Sequence, residues 1–333
     1  MKHLRPLLCI RAGAASAFSK NTLTVPDRAA RPLRNEVYTI ETILLGDALE
    51  QLQKLDAETV HCCVTSPPYF GLRDYGVPGQ IGLEVSPDDY IRRLMKVFRE
   101  VRRVLRPDGT LWLNIGDSYA SSGRAGQLPK MSEGLKPKDL IGIPWMLAFA
   151  LRSDGWYLRQ DIIWQKPNAM PEGVQDRCTR SHEHIFLLSK SERYYFDSDA
   201  IREPFITPPR TGERRSYKPG CASSFDLNEG HLQQKGNFAG LPLNPLGRNK
   251  RDVWPVPSSS FQGAHFAVFP EKLVEPCVLA GCPKGGIVLD PFMGSGTTGV
   301  VAKRLGRYFW GVELSMDYYF MALERISNIK EVS

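Results

Sequence analysis

Short apolar runs alternate with amphipathic stretches along most of the chain, and this alternation is the feature that most restricts its fold. The run Val60–Thr65 is stopped by two prolines, and residues 86–105 then form an amphipathic pattern for which Ser86 is a suitable N-cap. Similar pairs of segments recur up to residue 329. Strands that alternate with helices predict an α/β fold with a mostly parallel central sheet, covered by helices on both faces.

The pattern predicts the individual elements as follows. Strands are predicted at residues 37–45, 60–65, 110–115, 157–165, 184–189, 286–290 and 308–313. Helices are predicted at residues 48–55, 86–105, 140–152, 270–280, 296–305 and 317–329. Residues 106–109 (Arg-Pro-Asp-Gly) have the composition of a turn, and residues 202–251 read as a long irregular insertion.

Charge is unevenly distributed. The formal net charge is +7, yet residues 1–34 carry +6 and residues 202–251 carry +5, which leaves about −4 for the rest. The first segment has no periodic apolar face and predicts a flexible basic tail or an over-extended start, with a targeting peptide or a DNA-contacting arm as the alternatives. The second is suited to contact with phosphate groups. A polyanionic partner is therefore compatible with the sequence, and the insertion is the place where it would bind.

Two further features limit the class of protein. No apolar run is long enough to cross a bilayer, so no membrane span is predicted. The seven cysteines include no Cys-x-x-Cys pair, which argues against a zinc ribbon or a disulfide framework. A reducing, cytoplasmic setting without a structural metal is the expectation.

A glycine-rich loop near the C-terminus suggests a cofactor site. In Val288–Gly299 an apolar strand is followed by an aspartate and a turn whose glycines 294, 296 and 299 have the G-x-G-x-x-G spacing. Glu313 lies 19 residues after Gly294, at the end of the next predicted strand, where a carboxylate can accept hydrogen bonds from ribose hydroxyls. The pattern indicates an adenosine-containing cofactor and leaves NAD and S-adenosylmethionine open.

A second loop, Thr65–Phe70, follows a predicted strand and contains two consecutive prolines. The prolines restrict the backbone and remove two N–H donors, so carbonyl oxygens are left as acceptors. Ser66 adds a hydroxyl acceptor and Tyr69 a flat aromatic face. Such a loop suits a planar substrate that bears an NH₂ group, although a Pro-Pro turn with a packed tyrosine would have the same sequence.

The two loops together resemble the motifs of a known family. Ser66–Tyr69 resembles the (D/N/S)PP(Y/F) motif of DNA amino-methyltransferases, and Asp290–Thr298 resembles their S-adenosylmethionine motif. The order of the loops, with the catalytic motif first, is similar to the β group of that family, and the resemblance covers about residues 37–329. It implies a circularly permuted, Rossmann-like methyltransferase fold with a target-recognition insertion.

The resemblance also implies an activity. S-adenosylmethionine would donate a methyl group to the N6 atom of adenine or the N4 atom of cytosine, in a base flipped out of double-stranded DNA. The setting would be a bacterial or phage restriction-modification system, with the protein cytoplasmic, nucleoid-associated and homodimeric. A serine in the first motif position leans toward cytosine N4 and leaves adenine N6 open.

Three sets of residues acquire roles through the resemblance. The catalytic set is Ser66, Pro67, Pro68 and Tyr69. The cofactor-binding set is Asp47, Thr65, His265, Phe266, Phe269, Pro270, Asp290, Pro291, Phe292, Gly294, Ser295, Gly296, Thr297, Thr298 and Glu313. The DNA-binding set is Arg210, Arg214, Arg215, Lys218, Arg248, Lys250 and Arg251. No metal ligand is implied.

The expected organisation is a basic tail at residues 1–34, a catalytic half at 35–200, a target-recognition insertion at 201–255 and a cofactor-binding half at 256–330. Three alternatives remain: a dinucleotide-dependent oxidoreductase, a non-catalytic DNA-binding regulator, and a methyltransferase of RNA or of protein glutamine.

Methylation of cytosine carbon 5 requires a cysteine nucleophile. The Pro276-Cys277 pair lies within a predicted helix, so Cys277 is expected to be a core residue.

Overall fold

The computed structural model describes residues 41–120, 134–205, 244–258 and 270–329, and these residues form one eight-stranded sheet in the order β1-β8-β7-β2-β3-β5-β4-β6. The strands are β1 (Glu41–Leu45), β2 (Val60–Thr65), β3 (Leu105–Ile115), β4 (Tyr157–Gln165), β5 (His182–Ser189), β6 (Val253–Pro255), β7 (Ile287–Asp290) and β8 (Tyr308–Glu313). The α-helices are α1 (Ala48–Leu52), α2 (Pro87–Val104), α3 (Ile143–Ser153), α4 (Glu271–Gly281), α5 (Thr297–Arg304) and α6 (Met316–Ser327).

The sheet is mostly parallel, as the sequence predicts. Strand β5 is antiparallel to both of its neighbours, β3 and β4, while the other described pairings are parallel. Apolar side chains of the helices fill both faces of the sheet in two separate clusters, with α1, α2 and α3 in one and α4, α5 and α6 in the other. The predicted fold class, an α/β sheet with helices on both faces, is confirmed.

Helix α2 shows how local sequence fixes one of these layers. The Ser86 hydroxyl accepts from the backbone N–H of Asp89 at 3.1 Å, and Pro87 occupies the first helical position, where its missing N–H costs nothing. Tyr90, Leu94 and Phe98 then recur at helical spacing and are fully buried against the sheet. The cap, the proline and the apolar stripe all agree, which is why this helix was predictable almost to the residue.

Two local features differ from the prediction. The expected turn at residues 106–109 lies within β3, whose pairing with β2 shifts register between Leu105, opposite Val60, and Thr110, opposite Cys62. The predicted turn was wrong as a strand boundary, because the residues on either side of it both pair with β2. Strand β6 was not predicted, since three residues are too short to show a period.

The positions of β7 and β2 determine where a ligand can bind. These strands are neighbours, with Cys62 opposite Val288 and Cys63 opposite Leu289. From β7 the chain passes through α5 to β8 on one side, whereas from β2 it passes through α2 to β3 on the other. Where connections diverge in this way, a crevice opens beyond the carboxyl ends of the strands. None of the described helices is long and apolar enough to cross a membrane.

Candidate active site

A cleft of about 450 Å³ lies beyond the carboxyl ends of β7 and β2 and contains both predicted loops. This volume is within the usual range for sites that bind small molecules and cofactors. Lining residues from the predicted catalytic and cofactor sets are Asp47, Ser66, Pro67, Pro68, Tyr69, Asp290, Pro291, Phe292, Gly294, Ser295, Thr297, Thr298 and Glu313. The chain separates these two loops by more than 200 residues, and the adjacency of β2 and β7 brings them together.

The glycine-rich loop forms a tight turn at the end of β7. Gly294 and Gly296 have φ angles of 54° and 84°, in the left-handed region that favours glycine. A Cβ atom on Gly296 would lie 2.8 Å from the Cβ atom of Ala322, so this glycine also permits α6 to pack closely against the loop. Gly296 is itself the N-cap of α5, and the first two residues of this helix, Thr297 and Thr298, line the cleft.

Asp290 connects the two loops. Its Oδ1 atom accepts from the Thr65 hydroxyl at 2.7 Å and from the Phe292 N–H at 3.0 Å, and its Oδ2 atom accepts from the Thr298 hydroxyl at 2.7 Å. The carboxyl is only 3% exposed, and this burial raises its pKa from 3.8 to about 6, against the opposing effect of the three donors. Asp290 therefore fixes the end of β7 to the end of β2.

The pKa of Asp290 predicts a pH dependence of cofactor binding. As the pH falls through about 6, protonation turns an acceptor oxygen into a donor, and one of the bonds to Thr65 or Thr298 is lost. The dissociation constant of S-adenosylmethionine, measured by calorimetry, is expected to rise by up to about tenfold for each pH unit below this value. The variant Asp290→Asn should show a much shallower response.

The effect of Asp290 protonation on folding stability distinguishes weaker cofactor binding from unfolding. Because the folded pKa of Asp290 lies above its ordinary value, proton uptake by this group favours the folded state between pH 6 and 4. Weaker binding over that range is therefore not expected to come from Asp290-driven unfolding. An identical pH response in the wild-type protein and in Asp290→Asn would contradict the prediction.

Glu313 and Asp47 lie on the other side of the glycine loop. The Glu313 carboxylate accepts from the Gly294 N–H at 2.7 Å through Oε2 and from the Ser315 N–H at 2.8 Å through Oε1, and burial raises its pKa. Asp47 caps α1 by accepting from the N–H groups of residues 49 and 50, and it comes close because β1 pairs with β8. A carboxylate at a strand end beside a glycine turn fits the ribose of an adenosine cofactor.

The Pro-Pro-Tyr loop is fixed by polar contacts of its own side chains and backbone. The Pro68 carbonyl accepts from the buried Tyr90 hydroxyl at 2.8 Å. The Tyr69 hydroxyl lies 2.5 Å from Glu183 Oε2 and 3.1 Å from Asn114 Oδ1. Burial, followed by the nearby Glu183 charge, raises the pKa of Tyr69 well above its usual value, so its hydroxyl keeps its proton. The Ser66 hydroxyl lies 3.2 Å from Asn114 Oδ1.

Among the cleft residues that sequence reasoning missed are Asn114, Lys166 and Glu183. Asn114 lies near the carboxyl end of β3, and its position there was a usable signal, because β3 is a parallel neighbour of β2. Glu183 lies at the amino end of β5 and reaches the same edge only because β5 is antiparallel. Lys166 follows β4 and pairs with the Glu183 carboxylate.

Other predicted site residues are placed differently. Thr65 and Gly296 do not line the cleft. Thr65 instead donates to Asp290, and Gly296 packs against Ala322. Pro270 is buried at the start of α4 and does not line the cleft either. His265, Phe266 and Phe269 lie outside the described residues. Cys62, Cys63 and Cys277 are buried in the core, as expected.

The predicted DNA-binding set is only partly described. Arg210, Arg214, Arg215 and Lys218 lie outside the described residues. Arg248, Lys250 and Arg251 gather around Glu203, with nitrogen-to-oxygen distances of 3.1, 3.5 and 3.4 Å. Three cations around one carboxylate leave a local excess of positive charge. Among the described residues, no cluster of His, Cys, Asp or Glu has the arrangement of a metal site.

The α/β fold and the cleft fit an enzyme that binds an adenosine-containing cofactor. The sequence matches the family model of the DNA methylases, N6_N4_Mtase, over residues 60–324. The chain belongs to this family, and it is a DNA amino-methyltransferase with S-adenosylmethionine as its cofactor. The oxidoreductase alternative is thereby set aside.

The chain is also similar to named methyltransferases over most of its length. The chain is 48% identical to the type II methyltransferase M.SmaI of Serratia marcescens, over 92% of this chain and 97% of the relative. It is 47% identical to the type II methyltransferase M.Cfr9I of Citrobacter freundii, over 86% of this chain and 88% of the relative.

Solved structures share the fold. The PvuII DNA methyltransferase, described as cytosine-N4-specific, superposes with a TM-score of 0.59 at 19% identity, over 87% of this chain and 88% of that one. A protein of Thermus thermophilus, solved in complex with S-adenosyl-L-methionine and described as a DNA modification methylase, superposes with a TM-score of 0.56 at 27% identity. That match covers 86% of this chain and 93% of the other.

Proposed function

We propose that this DNA amino-methyltransferase is site-specific, that it acts on a base flipped out of double-stranded DNA, and that Ser66–Tyr69 form its catalytic loop. The observation that carries the proposal is the meeting of this loop with the glycine-rich loop in one cleft, joined by the 2.7 Å hydrogen bond between Thr65 and Asp290. A substrate amine on one loop would thus lie beside a cofactor on the other.

The chemistry requires acceptors for the amino hydrogens. The lone pair of an exocyclic amine is delocalised into the ring of the base, so the nitrogen is a weak nucleophile. Two acceptors that hold its hydrogens draw it toward tetrahedral geometry and free the lone pair. The Ser66 hydroxyl oxygen is one acceptor, and we assign the Pro67 carbonyl as the second, because the Pro68 carbonyl already accepts from Tyr90.

Residues of the glycine-rich side hold the cofactor in this proposal. Glu313 would accept from its ribose hydroxyls, Asp47 would lie near its adenine, and the loop from Asp290 to Thr298 would hold its methionine part; all three line the cleft. When bound, S-adenosylmethionine supplies an activated methyl group. The protein then contributes mainly by positioning the amine and the cofactor against each other, which is one of the larger sources of enzymatic rate enhancement.

Tyr69 receives the flipped base. A base inside a duplex cannot reach a cleft of this kind, so it must leave the stack, and an aromatic face offsets part of the lost stacking. The Tyr69 ring has its hydroxyl held by Glu183 and Asn114 and its edge against Gly116, where a Cβ atom would lie 2.7 Å from the ring. The stacking surface is therefore held in one orientation before DNA binds.

Analysis of the product tests the function and identifies the target base. DNA treated with the protein and cofactor is digested, and its nucleosides are measured by mass spectrometry. Ser66 favours N4-methylcytosine over N6-methyladenine, since a serine in this motif position leans toward cytosine. A product methylated at carbon 5, or methylation confined to RNA or protein, would contradict the proposal.

The described end of the insertion supports its role in DNA contact. Arg248, Lys250 and Arg251 carry more charge than Glu203 neutralises, and Arg251 is 62% exposed. Basic side chains of this kind contact phosphates or guanine edges. We assign target recognition to residues 201–255, between a catalytic half at 35–200 and a cofactor-binding half at 256–330. The residues of β6 within this range also pair with β4, so the insertion is tied to the sheet at its end.

Removal of residues 1–34 is expected to leave the recognition sequence unchanged, because target reading is assigned to the insertion. The measurement is sequencing of modified sites after treatment with the full chain and with the truncated chain. General DNA affinity can fall without contradicting this, since the segment carries a net charge of +6. A changed recognition sequence would show that the tail takes part in reading.

The biological setting follows the relatives, which are named type II methyltransferases. We propose that the protein modifies DNA in the bacterial cytoplasm as part of a restriction-modification system, in which any partner nuclease is a separate chain. We also propose a homodimer, on the family resemblance. Light scattering of the purified protein gives its mass directly, and a monomer at micromolar concentration would contradict the dimer.

A further inference from the structure

We propose that Glu183 is a positioning residue for the methyl-transfer site, which sets the direction of the Ser66 hydroxyl by accepting the hydrogen bond of the Tyr69 hydroxyl. The inference rests on the proposed roles of Ser66 and Tyr69 in binding the target amine. It is carried by the hydrogen bonds between Ser66, Tyr69, Asn114 and Glu183. The hydroxyl groups of Ser66 and Tyr69 each have one proton but more than one neighbouring acceptor.

The amide of Asn114 is the centre of this set. Its Nδ2 atom donates to Glu183 Oε2 and to the His184 carbonyl, both at 3.2 Å, and neither of these oxygens can donate in return. The orientation of the amide is therefore fixed, with Oδ1 directed toward the catalytic loop. There Oδ1 lies 3.2 Å from the Ser66 hydroxyl and 3.1 Å from the Tyr69 hydroxyl. An amide oxygen only accepts.

Tyr69 has one proton and two acceptors. Glu183 Oε2 is nearer, at 2.5 Å against 3.1 Å for Asn114 Oδ1, and it belongs to a carboxylate. A short hydrogen bond to a charged acceptor is the stronger one, so the Tyr69 proton is directed to Glu183. Asn114 Oδ1, at 3.2 Å, is then free to accept the Ser66 proton and is nearer than the Tyr69 oxygen at 3.4 Å. With that proton held away, the lone pairs of the Ser66 oxygen can face the amine of the base.

Loss of the Glu183 carboxylate would change which acceptor each of the two hydroxyl protons uses. The Tyr69 proton would turn to Asn114 Oδ1 and compete there with the Ser66 proton. A displaced Ser66 proton would keep only the longer 3.4 Å contact to the Tyr69 oxygen. Whenever it points into the cleft instead, Ser66 offers a donor to an amine that itself donates. Ser66 would remain in place but would present a hydrogen-bond donor, instead of an acceptor, to the substrate amine.

The surroundings hold Glu183 in position. Its second oxygen, Oε1, pairs with Lys166, whose ammonium group lies 4.3 Å from the centre of the Trp164 ring. The Glu183 side chain is 13% exposed. A Cβ atom on Gly116 would lie 3.5 Å from its Cδ atom and 2.7 Å from the Tyr69 ring, so the carboxylate and the ring share a confined space. Each carboxylate oxygen thus has its own partners.

The test is the variant Glu183→Gln in two backgrounds. A glutamine has one acceptor oxygen and cannot serve both Lys166 and Tyr69. In the wild-type background kcat is expected to fall by roughly 10- to 100-fold, with the dissociation constant of S-adenosylmethionine changed by less than about twofold. In Tyr69→Phe no hydroxyl competes for Asn114, so Glu183→Gln should lower kcat by less than about threefold.

This difference between backgrounds distinguishes positioning from a structural role. If Glu183 only stabilised the edge of the sheet, its replacement would lower kcat equally in both backgrounds, and that result would overturn the proposal. An unchanged kcat in Glu183→Gln would overturn it as well. Glu100→Gln is the matched control, since it removes a carboxylate from an ion pair with Arg103 on α2, away from the cleft, and should leave kcat unchanged.

A second variant covers the case in which Glu183→Gln does not fold. Glu183→Asp keeps the charge for Lys166 but withdraws the carboxylate from Tyr69, and it should also lower kcat at least about tenfold in the wild-type background only. Failure of the underlying function has a different signature. If Ser66→Ala and Tyr69→Ala both retained full activity, the catalytic loop itself would be misassigned, whatever Glu183 does.

Discussion

Replacement of Ser66 or Tyr69 by alanine is expected to reduce methyl transfer at least about 100-fold while cofactor affinity stays within about twofold. Ser66→Ala removes an acceptor that activates the amine. Tyr69→Ala removes the stacking face, which is worth about 1–3 kcal/mol per base, and also the partner of Glu183. Single-turnover transfer of a labelled methyl group to DNA measures the first effect, and calorimetry with S-adenosylmethionine measures the second.

Cofactor affinity should survive because the glycine-rich loop is stabilised by its own contacts. Asp290 holds Thr65 and Thr298, and Glu313 holds Gly294, without help from the side chains of Ser66 or Tyr69. Tyr157→Ala is a suitable control. It removes a 44% exposed tyrosine at the amino end of β4, on the opposite edge of the sheet. Full activity in Tyr69→Ala would refute the assignment of the catalytic loop.

The parts of this site that were predictable are those encoded in contiguous sequence. Ser66–Tyr69 and Asp290–Thr298 each combine a strand end with a turn of unusual composition, and each constrains its own backbone through proline or glycine. Their location at one edge of the sheet also followed from the fold class, since parallel strands direct their carboxyl ends to one edge. Their proximity depends in addition on the pairing of β2 with β7. The α2 cap at Ser86 was predictable for the same reason: the local interactions all favoured the same structure.

The residues that were missed depend on strand direction and register. Glu183 enters the cleft because β5 runs antiparallel, so that its first residues, rather than its last, lie at the active edge. Nothing in the apolar run 184–189 distinguishes an antiparallel strand from a parallel one buried on both faces. Asn114 reaches Ser66 through the register of β3 with β2, which the irregular segment at 106–109 shifts. Long-range pairing sets both positions.

Replacement of Glu313 by glutamine should weaken cofactor binding and leave methyl transfer at saturating cofactor nearly unchanged, whereas Ser66→Ala should do the reverse. The Glu313 carboxylate uses one oxygen for the Gly294 N–H and the other for the Ser315 N–H, and in our proposal it also accepts from the ribose hydroxyls. A glutamine offers one acceptor for these tasks. Hydrogen bonds to charged groups contribute about 1.5–3 kcal/mol each, so the dissociation constant of S-adenosylmethionine should rise roughly 10- to 100-fold.

Saturating cofactor separates this effect from a loss of catalysis. If Glu313 acts only in binding, the turnover rate of Glu313→Gln should rise to within a fewfold of the wild-type kcat at high S-adenosylmethionine. Ser66→Ala should stay slow at any cofactor concentration. Glu324→Gln, which changes a carboxylate on α6, is the control and should match the wild type. An unchanged dissociation constant in Glu313→Gln would contradict its role at the ribose. The opposite behaviour of the two variants would show that the cleft has two parts, with binding on the β7–β8 side and base activation on the β2–β3 side.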